Sequence, residues 1–145
     1  MMELISTRIC MSKDVGVHGN LFGGIMLSWI DEAAGALAGQ VCDTPRMVTV
    51  KMDEVHFRKA VKAGNLIKIY GNLDSFGKTS ITMNIEARRH SVYDGTQKVV
   101  CSTKMKFIRL DEDGEPVPIS ERAKKKYYTK RGLKDPSLGD ENEKA

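Results

Sequence analysis

Apolar residues recur with a helical period in one long stretch, residues 18–39, and with a period of two in most of the other ordered-looking segments. The long stretch reads HGNLFGGIMLSWIDEAAGALAG and carries only two acidic side chains and no lysine or arginine. If Gly23 and Gly24 open a helix here and Gly39 closes it, the helix has about 15 residues and a length of about 22 Å. Because it is so apolar, we expect this helix to be buried on most sides.

Five shorter segments alternate apolar and polar residues and therefore predict strands. They are Glu3 to Ile9, Arg46 to Phe57, Leu66 to Leu73, Thr79 to His90, and Lys98 to Leu110. In the second segment Val48, Val50 and Met52 share one side, which predicts a strand covered on one face. Asp94-Gly95, between the last two segments, is a hairpin signal.

One early helix and five strands, four of them consecutive and joined by hairpin-length connections, indicate an α+β fold with an antiparallel sheet packed on one helix. Regular alternation of strand and helix is missing, which argues against a doubly wound parallel sheet. After the last strand, Ser120 to Tyr128 predicts a short helix with Ser120 as its N-cap. We expect residues 131–145 to be disordered.

Charge distribution bears on the possible partners of the chain. The net charge is +4, but residues 1–120 hold 15 basic and 14 acidic side chains, so the excess lies in the C-terminal segment. Seven basic residues and two tyrosines between Arg122 and Lys134 could form a nucleic-acid-binding strip. A solvated tail is the favoured interpretation, since terminal charge runs are usually that, and we expect no nucleic-acid partner.

The cysteines and histidines are scattered, which indicates neither a disulfide framework nor a metal site. They are Cys10, Cys42, Cys101, His18, His56 and His90. No segment approaches the roughly 18 consecutive apolar residues of a membrane span, and the N-terminus lacks the layout of a signal peptide. We therefore expect a protein of the reducing cytoplasm, without a membrane span or a metal.

Two features of the long helix suggest chemistry. A glycine pair at a helix N-terminus exposes unpaired N–H groups and the positive end of the helix dipole, which attract negative charge. Asp31 follows Gly24 by seven residues, so the two share a face but lie about 10 Å apart along the axis. A single reacting carbonyl cannot touch both, so a site that uses both needs the carboxylate from a second copy of the helix across a two-fold interface.

Simpler interpretations of these residues remain open on spacing alone. Asp31 can be a helix carboxylate that faces solvent or a lysine, and Gly23-Gly24 can be an ordinary turn from loop to helix.

Residues 3–119 resemble the hotdog-fold acyl-CoA thioesterases, specifically the short bacterial and the cytosolic eukaryotic acyl-CoA hydrolases. The most specific match is GNLFGGIMLSWIDEAAG at residues 19–35, and further matches are VHFRKAVKAGN at 55–65, GKTS at 77–80 and FIRLDEDGEPVP at 107–118. The resemblance implies a sheet wrapped around one long helix. It also implies homodimers, often trimers of dimers, with active sites at the dimer interface.

The resemblance assigns roles to residues of this chain. Asp31 falls on the catalytic carboxylate, which acts as general base or as nucleophile. Gly24, next to Gly23, falls where a backbone N–H binds the carbonyl oxygen as charge develops on it. The turn of Gly77, Lys78, Thr79 and Ser80 falls on the segment associated with the coenzyme A arm.

One departure from the family pattern lies in the loop before the helix. The family commonly has an asparagine that orients the thioester or the water where this chain has Gly16. Asn20 and His18 are the nearby polar candidates for this role, and some family members carry histidine at the position of His18. Ala60 and Asn65 stand where the family usually has proline and aspartate.

The expected activity is therefore hydrolysis of acyl-CoA to a free acid and coenzyme A, with no metal and no cofactor apart from the substrate. The alternative, motivated by Gly16, is a non-catalytic acyl-CoA-binding or regulatory module on the same fold. We expect residues 1–119 to form the thioesterase domain and residues 120–145 to form a short helix and a basic tail.

Overall fold

A computed structural model describes residues 1–136. In chain order the elements are strand β1 (Glu3–Ile9), a 3-10 turn (Ser12–Asp14), helix α1 (Gly23–Cys42), strands β2 (Met47–Phe57), β3 (Leu66–Phe76), β4 (Ser80–His90) and β5 (Gln97–Arg109), and helix α2 (Glu121–Lys130). The strands form one antiparallel sheet in the order β1-β3-β4-β5-β2. The predicted α+β arrangement of five strands and one long helix is confirmed.

The core lies between α1 and the inner face of the sheet. Alternate residues of β4 and β5 are almost completely buried: Ile81, Met83, Ile85, Ala87, Cys101, Thr103, Met105 and Phe107. This alternation is what the sequence predicts for both strands. On the helix, Ile30, Ala34 and Ala38 are fully buried and share one face, so small side chains let the helix approach the sheet closely.

Helix α1 runs to Cys42, so the prediction that Gly39 closes it is wrong. The helix ends instead at Asp43, which adopts the left-handed conformation with φ of 55° and whose N–H donates to the Gly39 carbonyl. A Cβ atom on residue 39 would lie 3.1 Å from the Thr44 carbonyl oxygen. The lack of a side chain at Gly39 therefore lets the chain turn back closely over the helix, but Gly39 does not end the helix.

Strand β3 extends to Phe76, three residues past its predicted end at Leu73. A register shift between Leu73 and Ser75 interrupts the ladder, after which Ser75 and Phe76 pair with Thr82 and Ile81. The pattern of alternation breaks at this shift, which is why the predicted strand ends at Leu73.

Strand β2 lies at an edge of the sheet and pairs only with β5 within the described residues. Met47, Met52 and Val55 pack against the core, whereas Val48 and Val50 are 41% and 51% exposed. The prediction that Val48, Val50 and Met52 share one covered face is therefore wrong for the single chain. A register shift between Thr49 and Lys51 also breaks the predicted alternation. The edge therefore presents unpaired backbone groups and apolar side chains together.

Helix α2 begins as predicted, with the Ser120 hydroxyl accepting the Ala123 N–H at 3.1 Å. It packs on the body of the protein: Tyr127 is buried, and its hydroxyl accepts the Leu73 N–H at 3.3 Å. Arg131 pairs with Glu3 at 2.9 Å, which contradicts the prediction that disorder begins at residue 131. Residues 137–145, also predicted to be disordered, lie outside the described residues.

Within residues 1–136, no helix combines the length and the hydrophobicity that crossing a membrane requires.

Candidate active site

The loop that leads into α1 is held from both sides. The Asp14 carboxylate, almost buried, accepts the Met11 N–H at 3.0 Å, and the Asp14 carbonyl accepts the Phe22 N–H at 2.9 Å. The Leu21 N–H donates to the Val61 carbonyl at 2.7 Å. These bonds fix the direction in which α1 begins.

The first two residues of α1 are Gly23 and Gly24, whose N–H groups precede the first intrahelical hydrogen bonds. A Cβ atom on Gly23 would lie 3.4 Å from the Phe57 ring, and one on Gly24 would lie 2.9 Å from the Phe22 ring. Both rings are more than half exposed. The glycines therefore keep an electropositive helix start open between two aromatic side chains.

A cleft of about 420 Å³ opens beside this helix start. Its lining includes Asn20, Gly23, Met26, Phe57 and Arg58. The Arg58 guanidinium donates to the Ser102 hydroxyl from Nε at 3.2 Å and from Nη2 at 3.1 Å, so its position is defined. The cleft combines apolar walls with a cation and helix amides, which suits a ligand that has an apolar part and a carbonyl or anionic part.

Asp31 is exposed on α1 beside the edge strand β2. Its Oδ1 accepts a hydrogen bond from the Thr49 hydroxyl at 2.6 Å. Among residues 1–136 no protein group donates to Oδ2, so the lone pairs of this oxygen are available. Seven residues of helix separate Asp31 from Gly24, which is about 10 Å along the axis.

The turn between β3 and β4, residues 77–80, is tightly built. The Gly77 N–H donates to the Ser80 carbonyl at 2.7 Å, and a Cβ atom on Gly77 would lie 2.5 Å from the Ser80 hydroxyl oxygen. The Lys78 carbonyl accepts the Ile119 N–H at 2.9 Å, and the Thr79 carbonyl accepts the Arg109 N–H at 2.8 Å.

Strand register shows where this turn lies relative to the helix start. Arg109, bonded to the turn, pairs with Met47 at one end of β2, whereas Phe57, next to Gly23, ends the same strand. Ten residues of strand span about 30 Å, so one chain does not bring the turn and the helix start together. Thr49, which holds Asp31, pairs with Phe107, and Phe107 pairs with Ile81 next to the turn. The Asp31 carboxylate and the turn therefore lie at the same end of the sheet.

The two loop candidates differ in their surroundings. Asn20 is half-buried in the wall of the cleft, and its Oδ1 accepts a hydrogen bond from Lys62 Nζ. His18 is exposed and precedes Gly19, whose φ of 76° makes a tight bend. At Gly16 a Cβ atom would lie 3.6 Å from the Phe22 ring, an ordinary contact.

The sequence did not reveal Thr49 or Lys62 as neighbours of the candidate residues. In the sequence, Thr49 is only one of the polar positions that alternate with Val48 and Val50. Nothing in that pattern indicates which side of the strand α1 covers. Lys62 lies 42 positions after Asn20. Neither contact has a local signal, since both depend on how separate segments meet.

Residues 1–136 contain no group of three or more histidine, cysteine, aspartate or glutamate side chains arranged to hold a metal ion.

Comparisons with known proteins bear on this geometry. Residues 18–96 match the family model of the thioesterase superfamily. The acyl-CoA thioester hydrolase YciA of Salmonella typhimurium is 28% identical over 120 residues, which cover 81% of this chain and 90% of that protein.

Two solved structures are similar over most of the chain. The hexameric hotdog-fold thioesterase Cj0915 of Campylobacter jejuni has 32% identity and a TM-score of 0.76, with 86% of this chain and 96% of that one covered. The hexameric thioesterase y2039 of Yersinia pestis has 28% identity and a TM-score of 0.76, with 82% and 96% covered.

Proposed function

The chain belongs to the thioesterase superfamily, and from that premise we propose that it hydrolyses acyl-CoA thioesters to a free carboxylic acid and coenzyme A. The observation that carries the proposal is the position of Asp31, an exposed carboxylate held by Thr49 beside an open sheet edge. The reaction needs no cofactor besides the substrate.

We propose that two chains form each active site. The β2 edge exposes unpaired backbone groups together with Val48 and Val50, a combination that a second copy can cover by antiparallel strand pairing. A two-fold axis at this edge sets the two α1 helices antiparallel. The start of one helix then faces the middle of the other, so that Gly24 of one chain lies across from Asp31 of its partner.

Hydrolysis at such a site follows from the groups present. Asp31 removes a proton from a water molecule, whose oxygen attacks the thioester carbonyl carbon. In the alternative route Asp31 is the nucleophile: its Oδ2 attacks the carbonyl carbon, and water then hydrolyses the resulting mixed anhydride, which releases the free acid and restores the Asp31 carboxylate. In both routes negative charge collects on the carbonyl oxygen, where the Gly24 N–H donates to it. The C–S bond breaks, and the coenzyme A sulfur leaves and takes up a proton.

Asn20 and His18 are the proposed loop residues of the site, in place of the asparagine that Gly16 lacks. Asn20 is better placed, because it lines the cleft beside Gly23, whereas His18 lies exposed at a bend. Gly77, Lys78, Thr79 and Ser80 are proposed substrate contacts on the chain that supplies Asp31, since the turn lies at the Asp31 end of the sheet.

The proposed assembly is a homodimer and a trimer of dimers, which the hexameric relatives from Campylobacter jejuni and Yersinia pestis support. The cytoplasmic location and the division of the chain after residue 119 stay predictions from the sequence.

Release of free thiol from a panel of acyl-CoAs, from short to long chains, tests the activity. Steady turnover that removes more substrate than enzyme present supports hydrolysis. The second candidate function, a non-catalytic acyl-CoA-binding module, is favoured only by the absence of a side chain at Gly16. Tight binding of acyl-CoA without thiol release would establish that function and overturn ours.

A further inference from the structure

A pair of backbone-anchored segments meets beside the cleft. The loop before α1 is joined to the segment after β2 by the bond from the Leu21 N–H to the Val61 carbonyl. The residues next to these two are Asn20 and Lys62, and the Lys62 ammonium donates to Asn20 Oδ1. The side-chain contact is thus an extension of a backbone contact between the same two segments.

Both partners have fixed backbones. The Asn20 carbonyl accepts the Gly16 N–H at 2.8 Å. The Lys62 N–H donates to Asn65 Oδ1 at 2.8 Å, and the Lys62 carbonyl accepts the Asn65 N–H at 3.0 Å. Cys10 closes the same turn through its bonds with Gly64 and Asn65. The turn therefore presents Lys62 to Asn20 from a rigid base.

The chemistry of this pair settles the direction of the asparagine amide. A lysine ammonium has three donors and no acceptor, so it can bond only to the oxygen of the amide. The nitrogen Nδ2 must then point away from Lys62, and Asn20 lines the cleft beside Gly23. The positive charge on the oxygen side also draws electron density from the amide, which makes the N–H groups better donors.

We propose that Lys62 is a positioning residue, which holds the Asn20 amide so that Nδ2 donates a hydrogen bond into the cleft toward the thioester or the attacking water. This inference rests on the proposed hydrolysis. It explains how the chain can work with glycine at position 16, because a neighbouring asparagine, oriented by a lysine, supplies the donor.

The test compares acyl-CoA hydrolysis by Lys62→Met with that by Lys13→Met. Lys13 is an exposed lysine of the loop before α1, and it makes no hydrogen bond to Asn20 within the described residues. Lys13→Met therefore removes one positive charge, as Lys62→Met does, but leaves the Asn20 side chain in place. We expect Lys62→Met to lower kcat by about ten-fold with little change in KM, which is less than the roughly 10² to 10³ that losing a transition-state donor outright costs, because Asn20 itself remains. Lys13→Met should stay within about two-fold of the wild type, and Lys62→Arg should restore most of the rate, because arginine also donates to an amide oxygen.

A double variant distinguishes positioning from a general electrostatic effect. If Lys62 acts only through Asn20, then adding Lys62→Met to Asn20→Ala lowers kcat no further. The coupling free energy between the two substitutions then equals the whole effect of Lys62→Met in the wild-type background. Lys62→Ala, which also removes the donor to Asn20 Oδ1, replaces Lys62→Met if the latter fails to fold.

Equal rates for Lys62→Met and Lys13→Met would overturn the inference, and so would independent losses in the double variant. Wild-type protein without turnover on any acyl-CoA would instead contradict the proposed hydrolysis itself.

Discussion

The Thr49 hydroxyl donates a hydrogen bond of 2.6 Å to Oδ1 of Asp31, and this bond joins the middle of helix α1 to the edge strand β2. A carboxylate on an exposed helix face would otherwise sample several rotamers. Because Thr49 engages one oxygen, the carboxylate is held in one orientation, and the lone pairs of the other oxygen stay available. Thr49 is therefore expected to orient the reacting group.

Thr49→Val keeps the shape of the side chain but removes the hydroxyl donor. We expect kcat on acyl-CoA to fall by about ten-fold or more while KM changes little, since the bond acts on the base and not on substrate binding. Thr49→Ser, which retains the hydroxyl, is the matched control and should keep most of the activity. An unchanged kcat in the valine variant would show that Asp31 needs no such support.

Gly16→Asn tests whether the departure from the family pattern limits the rate. The added Cβ atom would make only an ordinary contact with the Phe22 ring, 3.6 Å away. We therefore expect the variant to fold as the wild type does and to maintain or raise kcat, because a second amide becomes available in the loop. A loss of activity in a normally folded variant would mean that the loop requires glycine for another reason.

Gly71→Ala should destabilise the fold. A Cβ atom there would lie 2.7 Å from Ile5 Cδ1 and 2.8 Å from Ile85 Cδ1 in the core. Overpacking of this kind typically lowers the free energy of unfolding by about 1–3 kcal/mol. Gly35→Ala in α1 is the control, since its nearest neighbour would be Phe107 at 3.9 Å and helix propensity favours alanine.

Urea unfolding of the two variants measures the difference in stability. Overpacking should give Gly71→Ala a lower urea midpoint, and Gly35→Ala should have an unchanged or higher one. A Gly71→Ala variant as stable as the wild type would show that the core at this point is looser than described.

The cysteine thiols should be unreactive in the folded protein. Burial raises the pKa of Cys42 and of Cys101 to about 11, and burial also raises the pKa of Cys10. At pH 8 a thiol with such a pKa is only about 0.1% thiolate, and the thiolate is the form that reacts.

A chromogenic disulfide reagent at pH 8 checks this expectation. It should react slowly with native protein and rapidly with all three cysteines in denaturant, so the protein adds little background to a thiol-release assay. Fast reaction of any cysteine in the native state would contradict the burial described here.

The local sequence pattern was sufficient to predict those features of the fold that depend on a single strand or helix. The alternation around Ile81 and Met83 shows a covered face, and the Ser120 cap is readable because its partner Ala123 lies three residues away. Helix spacing likewise shows that Asp31 and Gly24 are too far apart for one carbonyl.

Tertiary packing decided what the pattern could not. Gly39 looked like a helix end, but it is glycine because of the close Thr44 carbonyl. The register shift before Ser75 made the predicted strand end at Leu73, although the strand resumes after it. Asp31 contacts Thr49, and Asn20 contacts Lys62. Each contact joins two segments that are far apart in the chain, and the local pattern of either segment does not show that they meet.

In the proposed assembly, each active site combines Asp31 of one chain with the helix start of its partner. Two inactive variants can test it by complementation. Asp31→Asn removes the base at constant volume and should lower kcat by about 10² to 10⁴. Gly24→Pro removes the N–H donor in the first helical turn, where proline breaks no intrahelical hydrogen bond. Its Cβ atom would lie 2.9 Å from the exposed Phe22 ring, which must move aside, so Asn20→Ala serves in its place if that variant does not fold.

The decisive measurement is the kcat of protein from cells that express Asp31→Asn and Gly24→Pro chains in equal amounts, beside each variant alone. If the site is shared, random pairing leaves about one site in four with both intact groups, so the mixture should reach about a quarter of the wild-type kcat. If Asp31 and Gly24 act within one chain, every site carries a defect. A mixture no more active than its parents would therefore contradict the shared site.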